Sequence, residues 1–351
     1  MAVESPFALP CKRRKEGKTS PCKPPIFALH FLFFGKEVCL MSTQLLLPSP
    51  PGLTACRRGD RLLLTGEGGK PPFSLGDTLQ CGQCFGWRQD GEGWWQGAVG
   101  NTFCRGREEG DAVVFTGLRP GEEGAILSYF DWGRDYRAAR ALLCRNPVLR
   151  RAVTFAPGIR LLRQDPWEAL CSFILSQNNN IPRIQKIVRA LTALLGQPLT
   201  HPDAPGALLH TFPTAERLAR CTPEELAPIR AGFRAGYILD AARQVAAGRL
   251  DLHTVAALPL EEARAALCQI RGVGPKVADC ALLYGLGRWE VVPMDVWMKR
   301  AMAQLFPKGF PRYLRGYEGL AQQFLFHYCR HCPGALKSQV TGGTAGEKSP
   351  V

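Results

Sequence analysis

The sequence lacks any long run of apolar residues. No stretch approaches the roughly 18 consecutive apolar residues that a membrane-spanning helix needs. Residues 11–35 imitate a signal peptide, because basic residues precede a short apolar run. That run contains His30, is followed by Lys36 and Glu37, and offers no small-residue cleavage site. We therefore expect neither a membrane protein nor a secreted one.

Acidic residues are also scarce. The chain of 351 residues has 44 Lys and Arg against 30 Asp and Glu, a formal net charge of +14. Residues 1–60 contribute +5, which leaves +9 for the remainder, so the excess is not confined to one tail. This balance favours a polyanionic partner such as nucleic acid. A ribosomal or membrane-surface protein would have a similar charge, so composition leaves the partner open.

Cysteine is plentiful, with 14 residues, but the pattern is not that of a secreted disulfide scaffold. The chain is long, 46% of it is hydrophobic, and cysteines such as Cys171 and Cys280 lie within apolar helical runs. Buried free thiols in a reducing compartment are the simpler interpretation. One alternative is a zinc site that joins two C-x-x-C pairs, Cys81/Cys84 and Cys329/Cys332, the second of which lies among histidines.

The order of patterns predicts an α+β protein. Residues 1–57 are interrupted by prolines and have no steady period, which predicts an irregular extension, and Met41 is an alternative start. Short apolar runs separated by Gly and Asp predict an antiparallel β-rich domain over 58–130. Helical patterns dominate 131–333, and the composition of 334–351 is that of a disordered tail. No internal repeat is present.

Helix boundaries are well marked in the second region. Asp165 is an expected N-cap, followed by proline and then by Glu168 at the third helical position. Gly196 is expected to end the next helix, and Thr222 and Asp295 are expected to begin others.

The stretch "IRGVGPKVADC" at 270–280 places a G-V-G turn between two helical segments. Such a helix-hairpin-helix allows backbone N–H groups and a helix N-terminus to hold a DNA phosphate without regard to base sequence. A glycine-kinked turn between two ordinary helices is the alternative. The residues that follow the turn favour the first interpretation.

Lys276 occupies the first turn of the second helix, where a cation is unfavourable next to the positive end of the helix dipole. The same field favours the neutral, nucleophilic amine. Cys280 follows at i+4 on the same helical face, and Asp295 begins the next helix. An amine that attacks C1′ of a sugar and a carboxylate that stabilises the developing positive charge would suffice to displace a base. For Asp295 alone, simple capping is the alternative.

These residues resemble those of the helix-hairpin-helix DNA glycosylases, and specifically the 8-oxoguanine branch. The resemblance covers about residues 60–330 in order, and it is most specific at "SQNNNIPR" and "GPKVADC". The segments that carry it are "CGQCFGWR" (81–88), "GIRLLRQDPWEALCSFILSQNNNIPRI" (158–184), "GFRAGYI" (232–238), "RGVGPKVADC" (271–280), "VPMDVW" (292–297) and "GLAQQFLF" (319–326). It implies a mostly helical glycosylase core preceded by an antiparallel β domain.

The resemblance implies roles in catalysis and in lesion binding. Lys276 would form a Schiff base, and Asp295 would be the essential carboxylate. Cys280 and Phe326 would sandwich the flipped base. Gln322, four residues before Phe326 and on the same helical face, would bind the Watson–Crick edge. The Gly82 carbonyl would accept the N7–H that 8-oxoguanine has and guanine lacks.

The resemblance also implies a DNA-binding face. Asn178 would fill the gap left in the duplex, Arg183 and Arg234 would read the widowed cytosine, and Phe233 would wedge the base stack. Helix capping for the asparagines and phosphate contacts for the arginines are the alternatives. The hairpin backbone would bind phosphate at Gly272, Gly274 and Val277. No cofactor is required, but backbone carbonyls would coordinate a structural monovalent cation at Cys268, Ile270 and Val273.

Three positions depart from the family pattern. Trp297 stands where animal members have a phosphate-binding histidine, and an indole has only one donor, so this contact is in doubt. Phe233 replaces a tyrosine. Arg271 replaces a proline, which loosens the turn. The branch has no iron–sulfur cluster, and the four-cysteine spacing of cluster-bearing relatives is missing from this sequence.

The sequence therefore predicts a monomeric 8-oxoguanine DNA glycosylase/AP lyase that acts on duplex DNA with the lesion opposite cytosine. It would work in the bacterial cytoplasm and nucleoid or in a eukaryotic nucleus. Two rivals remain: a glycosylase for another damaged base, and a non-catalytic DNA-binding module.

Overall fold

A seven-stranded antiparallel sheet forms the first part of the chain in the computed structural model, which describes residues 44–336. Residues 1–43, including Met41, and most of the predicted tail lie outside the described residues. The strand order is β1-β2-β3-β7-β6-β5-β4. The strands are β1 (Gln44–Leu47), β2 (Leu53–Arg58), β3 (Arg61–Gly66), β4 (Arg88–Gln89), β5 (Trp95–Val99), β6 (Thr102–Glu109) and β7 (Ala112–Thr116).

The prediction of an irregular extension is wrong for residues 44–57. Strands β1 and β2 pair in register, with Leu45 opposite Arg57. Pro48, Pro50 and Pro51 lie in the connection between the two strands, where Leu53 N–H donates to the Pro50 carbonyl at 3.1 Å and Gly52 has φ +78°. Proline there marks a turn, because it cannot donate to a strand ladder.

Burial alternates along β3, so one face of this strand meets the core, whereas β7 is buried along its whole length. In β3, Leu62 and Leu64 are fully buried. They pack in a core with Phe115, Phe130 and Trp132. Successive strand side chains point to opposite faces, so this alternation fixes the register.

Helices dominate the rest, as predicted, and the fold class is confirmed as α+β. The thirteen α-helices between residues 44 and 336 are α1 (Leu75–Gln80), α2 (Glu123–Tyr129), α3 (Tyr136–Leu143), α4 (Pro147–Phe155), α5 (Pro166–Ser176), α6 (Ile181–Leu195), α7 (Ala215–Ala219), α8 (Arg234–Ala246), α9 (Leu252–Ala257), α10 (Leu260–Cys268), α11 (Pro275–Tyr284), α12 (Val296–Leu305) and α13 (Glu318–His331). None of them combines the length and apolarity that crossing a bilayer requires.

One predicted helix end and one predicted helix start differ in the structure. Gly196 follows α6, but its φ is −81°, so it is not a left-handed cap. A Cβ there would lie 2.0 Å from the Thr211 carbonyl oxygen, and close approach explains the glycine. Thr222 does not begin an α-helix. Its hydroxyl accepts from Glu225 N–H at 3.3 Å, but only a 3₁₀ turn, Ala227–Ile229, follows.

A second sheet, not predicted, interrupts the helical region. Strands β8 (Pro198–His201) and β9 (Ala204–His210) form a hairpin after α6. The His201 ring pairs with the Thr116 carbonyl through Nε2 at 2.8 Å, so the hairpin is attached to the C-terminal end of β7. A proline in each strand, with a glycine in β9, hides the alternating pattern that predicts a strand.

The sheet and the helices meet around two buried polar side chains. Arg160, 1% exposed, donates to the carbonyls of Phe130 at 2.8 Å and Asp131 at 2.7 Å. Gln83 donates to the Arg160 carbonyl at 2.8 Å and accepts from Leu162 N–H at 2.9 Å. These bonds attach the loop that contains Gly82 to the helical region.

Candidate active site and DNA-binding face

Lys276 lies in the first turn of α11, after Gly274 as N-cap and Pro275 as the first helical residue. Its Nζ is 5.4 Å from the centroid of the Phe173 ring on α5. No carboxylate in the described part of the chain forms an ion pair with this amine. The acid on the same helix, Asp279, pairs with Arg264 at 2.7 Å instead. The amine is therefore available for reaction.

The hairpin turn presents unpaired N–H groups. Within residues 44–336, the N–H groups of Gly272 and Gly274 donate to no acceptor. Val277 N–H, also predicted to bind DNA, donates to the Gly274 carbonyl at 3.0 Å. Gly272 has φ +80°, and a Cβ there would lie 2.3 Å from the Tyr237 ring, so only glycine fits.

The turn is tied to α8 by a hydrogen bond that the sequence did not suggest. Arg271 N–H donates to Asp240 Oδ2 at 2.9 Å. A proline at 271 would have no N–H to donate. The loosening expected from the loss of proline is therefore offset by this bond.

Cys280 lies beside Lys276, and Asp295 is near enough to act on the Cys280 thiol electrostatically. Cys280 is buried on α11. Burial raises the pKa of its thiol, and the Lys276 amine opposes that rise, so the two groups are close together and the thiol is neutral. Asp295 is the N-cap of α12, and its Oδ1 accepts from Met298 N–H at 2.7 Å. Capping engages Oδ1, and the hydrogen bonds within residues 44–336 leave Oδ2 unengaged.

The predicted lesion-binding residues converge on one loop. Gly82 has φ +88°, and a Cβ built there would lie 3.3 Å from Phe326 Cε1 and 3.2 Å from Ile181 Cδ1. Phe326 is half-buried on α13, and Gln322, one turn before it, is buried. The structure thus brings the Gly82 loop against the face of α13 that carries the amide and the ring.

Sequence reasoning did not identify three polar neighbours of this pocket. Tyr284 Oη lies 2.5 Å from Gln323 Oε1 and 3.3 Å from Gln322 Oε1. Arg330 Nη1 is buried near Gly82 and has no hydrogen-bond partner among the described residues. The available signal was an adjacent Gln-Gln pair in an otherwise apolar helix.

The three asparagines before α6 divide their tasks. Asn180 is the N-cap and accepts from Arg183 N–H at 3.0 Å, and Asn179 Nδ2 donates to the Leu175 carbonyl at 3.2 Å. Asn178 is exposed with φ +45°, a conformation that Asn tolerates better than most residues. Capping therefore explains the second and third asparagines but not the first.

The two arginines predicted to read cytosine differ. Arg234 is buried and donates to the carbonyls of Gln177 at 2.6 Å and Asn178 at 2.8 Å. Burial, and then the charge of Arg183, lower the pKa of Arg234. Arg183 is exposed. Arg234 therefore holds the Asn178 turn, whereas the Arg183 guanidinium is exposed and has no ion pair within residues 44–336.

The predicted wedge is exposed. Phe233 is 56% exposed and its ring lies 4.4 Å from Arg234 Cζ. A cavity of about 660 Å³ extends from Phe233 to Tyr237 and Arg271 and so connects the wedge to the hairpin. Trp297 is half-buried in the first turn of α12. Of these side chains, Phe233, Tyr237 and Arg271 line one cavity.

The alternative of a zinc site finds no support within residues 44–336, where no three His, Cys, Asp or Glu side chains are grouped to hold a metal ion. Burial raises the pKa of Cys81 to about 12 and that of Cys329 to about 11, so both remain thiols. Zinc requires thiolates.

The three backbone carbonyls predicted to hold a cation lie at and after the end of α10. Within the described residues, the carbonyls of Cys268 and Val273 accept no hydrogen bond, and that of Ile270 accepts one, from Val273 N–H at 3.0 Å. Carbonyl oxygens retain lone pairs under those conditions.

Comparisons with known proteins agree with this geometry. Residues 69–170 match the family described as "8-oxoguanine DNA glycosylase, N-terminal domain", and 171–309 match the "HhH-GPD superfamily base excision DNA repair protein". The N-glycosylase/DNA lyase of Saccharomyces cerevisiae is 33% identical over 261 residues, which are 66% of this chain and 68% of that protein. The chain belongs to the 8-oxoguanine DNA glycosylase family.

Other members of this family are similarly close. The N-glycosylase/DNA lyase OGG1 of Arabidopsis thaliana is 32% identical over 280 residues, 71% of this chain and 75% of that one. The 8-oxoguanine glycosylase/lyase of Clostridium acetobutylicum, solved with double-stranded DNA containing cytosine opposite 8-oxoG, is 32% identical with a TM-score of 0.72. That match covers 80% of this chain and 98% of the other.

Proposed function

We propose that this protein excises 8-oxoguanine opposite cytosine from duplex DNA and then cleaves the strand. The observation that carries the proposal is the unpaired Lys276 amine at the start of α11, next to Cys280 and to the free N–H groups of the hairpin turn. Family membership supports the same reaction. Its site of action would be wherever the cell keeps its DNA.

Lys276 Nζ would attack C1′ of the flipped nucleotide. The bond from C1′ to N9 breaks, its electron pair leaves with the base, and the base takes up a proton. The Asp295 carboxylate would stabilise the positive charge that develops on the sugar. Opening of the sugar ring gives a Schiff base. Loss of a C2′ proton then expels the 3′ phosphate and nicks the strand.

Base recognition would depend on polar contacts rather than on stacking. Stacking on Phe326 is worth roughly 1–3 kcal/mol and hardly distinguishes 8-oxoguanine from guanine. The Gly82 carbonyl would accept N7–H, and Gln322 would pair with the Watson–Crick edge. Arg183 would contact the widowed cytosine and Asn178 would fill the gap, and these contacts offset a flipping cost of a few kcal/mol.

The hairpin would hold a phosphate through the N–H groups of Gly272 and Gly274. A monovalent cation bound by the carbonyls of Cys268, Ile270 and Val273 would stiffen this turn. The indole of Trp297 would offer one N–H to the same backbone.

Covalent trapping tests the assignment. Borohydride added during incubation with an 8-oxoguanine:cytosine duplex should reduce the Schiff base and cross-link protein to DNA, as a shifted band on a denaturing gel. Lys276→Gln should abolish this band, whereas Lys308→Gln, the same change at an exposed lysine, should not. Trapping by the Lys276→Gln variant would reject the nucleophile.

The Asp295→Asn variant distinguishes the helix-capping role of Asp295 from the role of its negative charge. Asn caps a helix about as well as Asp, so the melting temperature should stay the same. Loss of the carboxylate should lower the excision rate by about 100-fold or more. Asp251→Asn, at the N-cap of α9, is the matched control and should leave the rate unchanged.

The two rivals predict different results. A glycosylase for another base would cleave a different member of a lesion panel. A non-catalytic module would bind duplex in a salt-dependent manner without cleaving it.

A further inference from the structure

A buried hydrogen-bond network, formed by the side chains of Gln323 and Tyr284, connects the Gly82 loop to Gln322. Gln323, fully buried on α13, donates from Nε2 to the Cys81 carbonyl at 2.9 Å. Its Oε1 lies 2.5 Å from Tyr284 Oη on α11, and the same Oη lies 3.3 Å from the Gln322 amide. All four residues are buried.

The number of protons on each group decides which one donates in every hydrogen bond of this network. The Cys81 carbonyl can only accept, so Gln323 must turn its NH₂ toward Cys81 and its oxygen toward Tyr284. A tyrosine hydroxyl has one proton, and burial raises the pKa of Tyr284 well above its usual value, so that proton stays in place. At 2.5 Å it is donated to Gln323.

Tyr284 Oη can then only accept from Gln322. The oxygen and nitrogen of a glutamine amide are nearly equal in shape, and the hydrogen-bond partners decide which way the amide lies. The 3.3 Å contact joins Oη to Gln322 Oε1, and Tyr284 can accept there only when the Gln322 amide rotates by 180° and presents its NH₂. The carbonyl oxygen of Gln322 is then the amide atom left for a ligand.

We propose that Tyr284 and Gln323 are positioning residues that hold the Gln322 carbonyl toward the flipped base and thereby select a guanine-type edge. This inference rests on the proposed function. Guanine and 8-oxoguanine present donors there, N1–H and the 2-amino group. An adenine-type base presents N1 as an acceptor, which would face the Gln322 oxygen without a proton between them.

The other end of this hydrogen-bond network is the carbonyl of Cys81, directly before Gly82. The Gly82 carbonyl would read N7–H, so one buried network supports both contacts that distinguish the lesion. Gln83 holds the other side of Gly82 through Leu162 N–H at 2.9 Å.

Binding measurements test this inference without requiring catalysis. In a Lys276→Gln parent, fluorescence anisotropy would give dissociation constants for duplexes with 8-oxoguanine or 8-oxoadenine opposite cytosine. Tyr284→Phe frees the Gln322 amide to rotate, and the preference for 8-oxoguanine should fall about 10-fold. Gln323→Met, similar in shape but without polar atoms, should reduce it further, because Tyr284 can then donate to Gln322 and favour the opposite orientation.

Tyr328→Phe is the matched control, since it removes the hydroxyl of a half-buried tyrosine on α13, the helix that carries Gln322 and Gln323. The preference for 8-oxoguanine should not change in this variant. The Tyr284 and Gln323 variants could instead lose the same affinity for both duplexes and keep the preference for 8-oxoguanine within 2-fold of the parent. That result would mean that these residues only pack. A selective parent with unchanged variants overturns this inference alone. A parent that binds both duplexes equally overturns it together with the proposed substrate.

Discussion

At the scale of single residues, Gly82 illustrates how one position can be fixed by backbone geometry. Its φ of +88° suits glycine, and a methyl group would press on Phe326 at 3.3 Å. Hydrogen bonds made by Gln83 on one side and to Cys81 on the other prevent the loop from yielding. A side chain there would therefore displace either the carbonyl or the stacking ring.

We expect Gly82→Ala to lower kcat/KM for 8-oxoguanine excision by about 10-fold or more, because left-handed backbone costs roughly 1–2 kcal/mol outside glycine and the ring must move. Steady-state kinetics on the lesion duplex would measure this. Gly86→Ala is the control, since its φ is not positive and its nearest contact would be Glu168 Oε1 at 3.7 Å. Full activity of Gly82→Ala would argue against a role for its carbonyl.

At the scale of elements, the hairpin separates two uses of glycine. Gly272 is required by the fold, since its Cβ would meet Tyr237 at 2.3 Å. Gly274 has open space around its Cβ position and no positive φ, so nothing in the protein demands glycine there. A phosphate bound to its N–H would explain the choice.

Alanine at the two positions should accordingly have different effects. Gly272→Ala should lower the melting temperature by several degrees, because a buried ring and a strained φ both oppose the methyl group. Gly274→Ala should melt like the parent but bind undamaged duplex several-fold more weakly. Thermal melts and anisotropy on both variants would decide this, and normal DNA affinity of a well-folded Gly274→Ala would place the phosphate elsewhere.

Element boundaries were predictable where local chemistry decides them. Asp165 accepts from Glu168 N–H at 2.9 Å, as its spacing from proline predicted. The short helix expected after Thr222 is one 3₁₀ turn that ends at Arg230 with φ +55°, because Pro228 within it has no N–H to continue a helix. The β8–β9 hairpin escaped prediction because a proline interrupts the strand pattern in each of its strands.

At the scale of the whole molecule, a half-buried acid, Glu168, lies where the sheet region meets the helices. Glu168 on α5 lines a cavity of about 170 Å³ together with Arg88, Arg189 and His210. Burial, with a smaller effect of Asp165, raises the pKa of Glu168 to about 8. The folded protein therefore holds a proton that the unfolded chain releases near pH 4.5.

The free energy of unfolding should therefore fall as pH rises from about 4.5 to about 8. Stability from the protonated carboxyl is complete below about pH 4.5, declines as pH rises, and is lost above about pH 8. Glu168→Gln cannot ionise, so its advantage over the parent should grow between pH 5 and 8 by at most about 1.4 kcal/mol per pH unit. Denaturant unfolding across that range measures it. The exposed Glu262→Gln should show no such trend, and a constant gap for Glu168→Gln would contradict the linkage.

The sequence by itself determined the helix-hairpin-helix, the caps at Asp165 and Asp295, and the place of Lys276 in the first turn of α11, because these depend on residues within a few positions of one another. The tertiary structure decided which asparagine has no capping role, that Arg234 is occupied by backbone carbonyls, and that Tyr284 and Gln323 connect Cys81 to Gln322. The hydrogen-bonded pairs that Arg234 makes with the Asn178 turn, and those of the Tyr284 and Gln323 side chains, lie 38 to 242 positions apart. Hydrogen bonds between such distant groups depend on how helices pack, which no local pattern records.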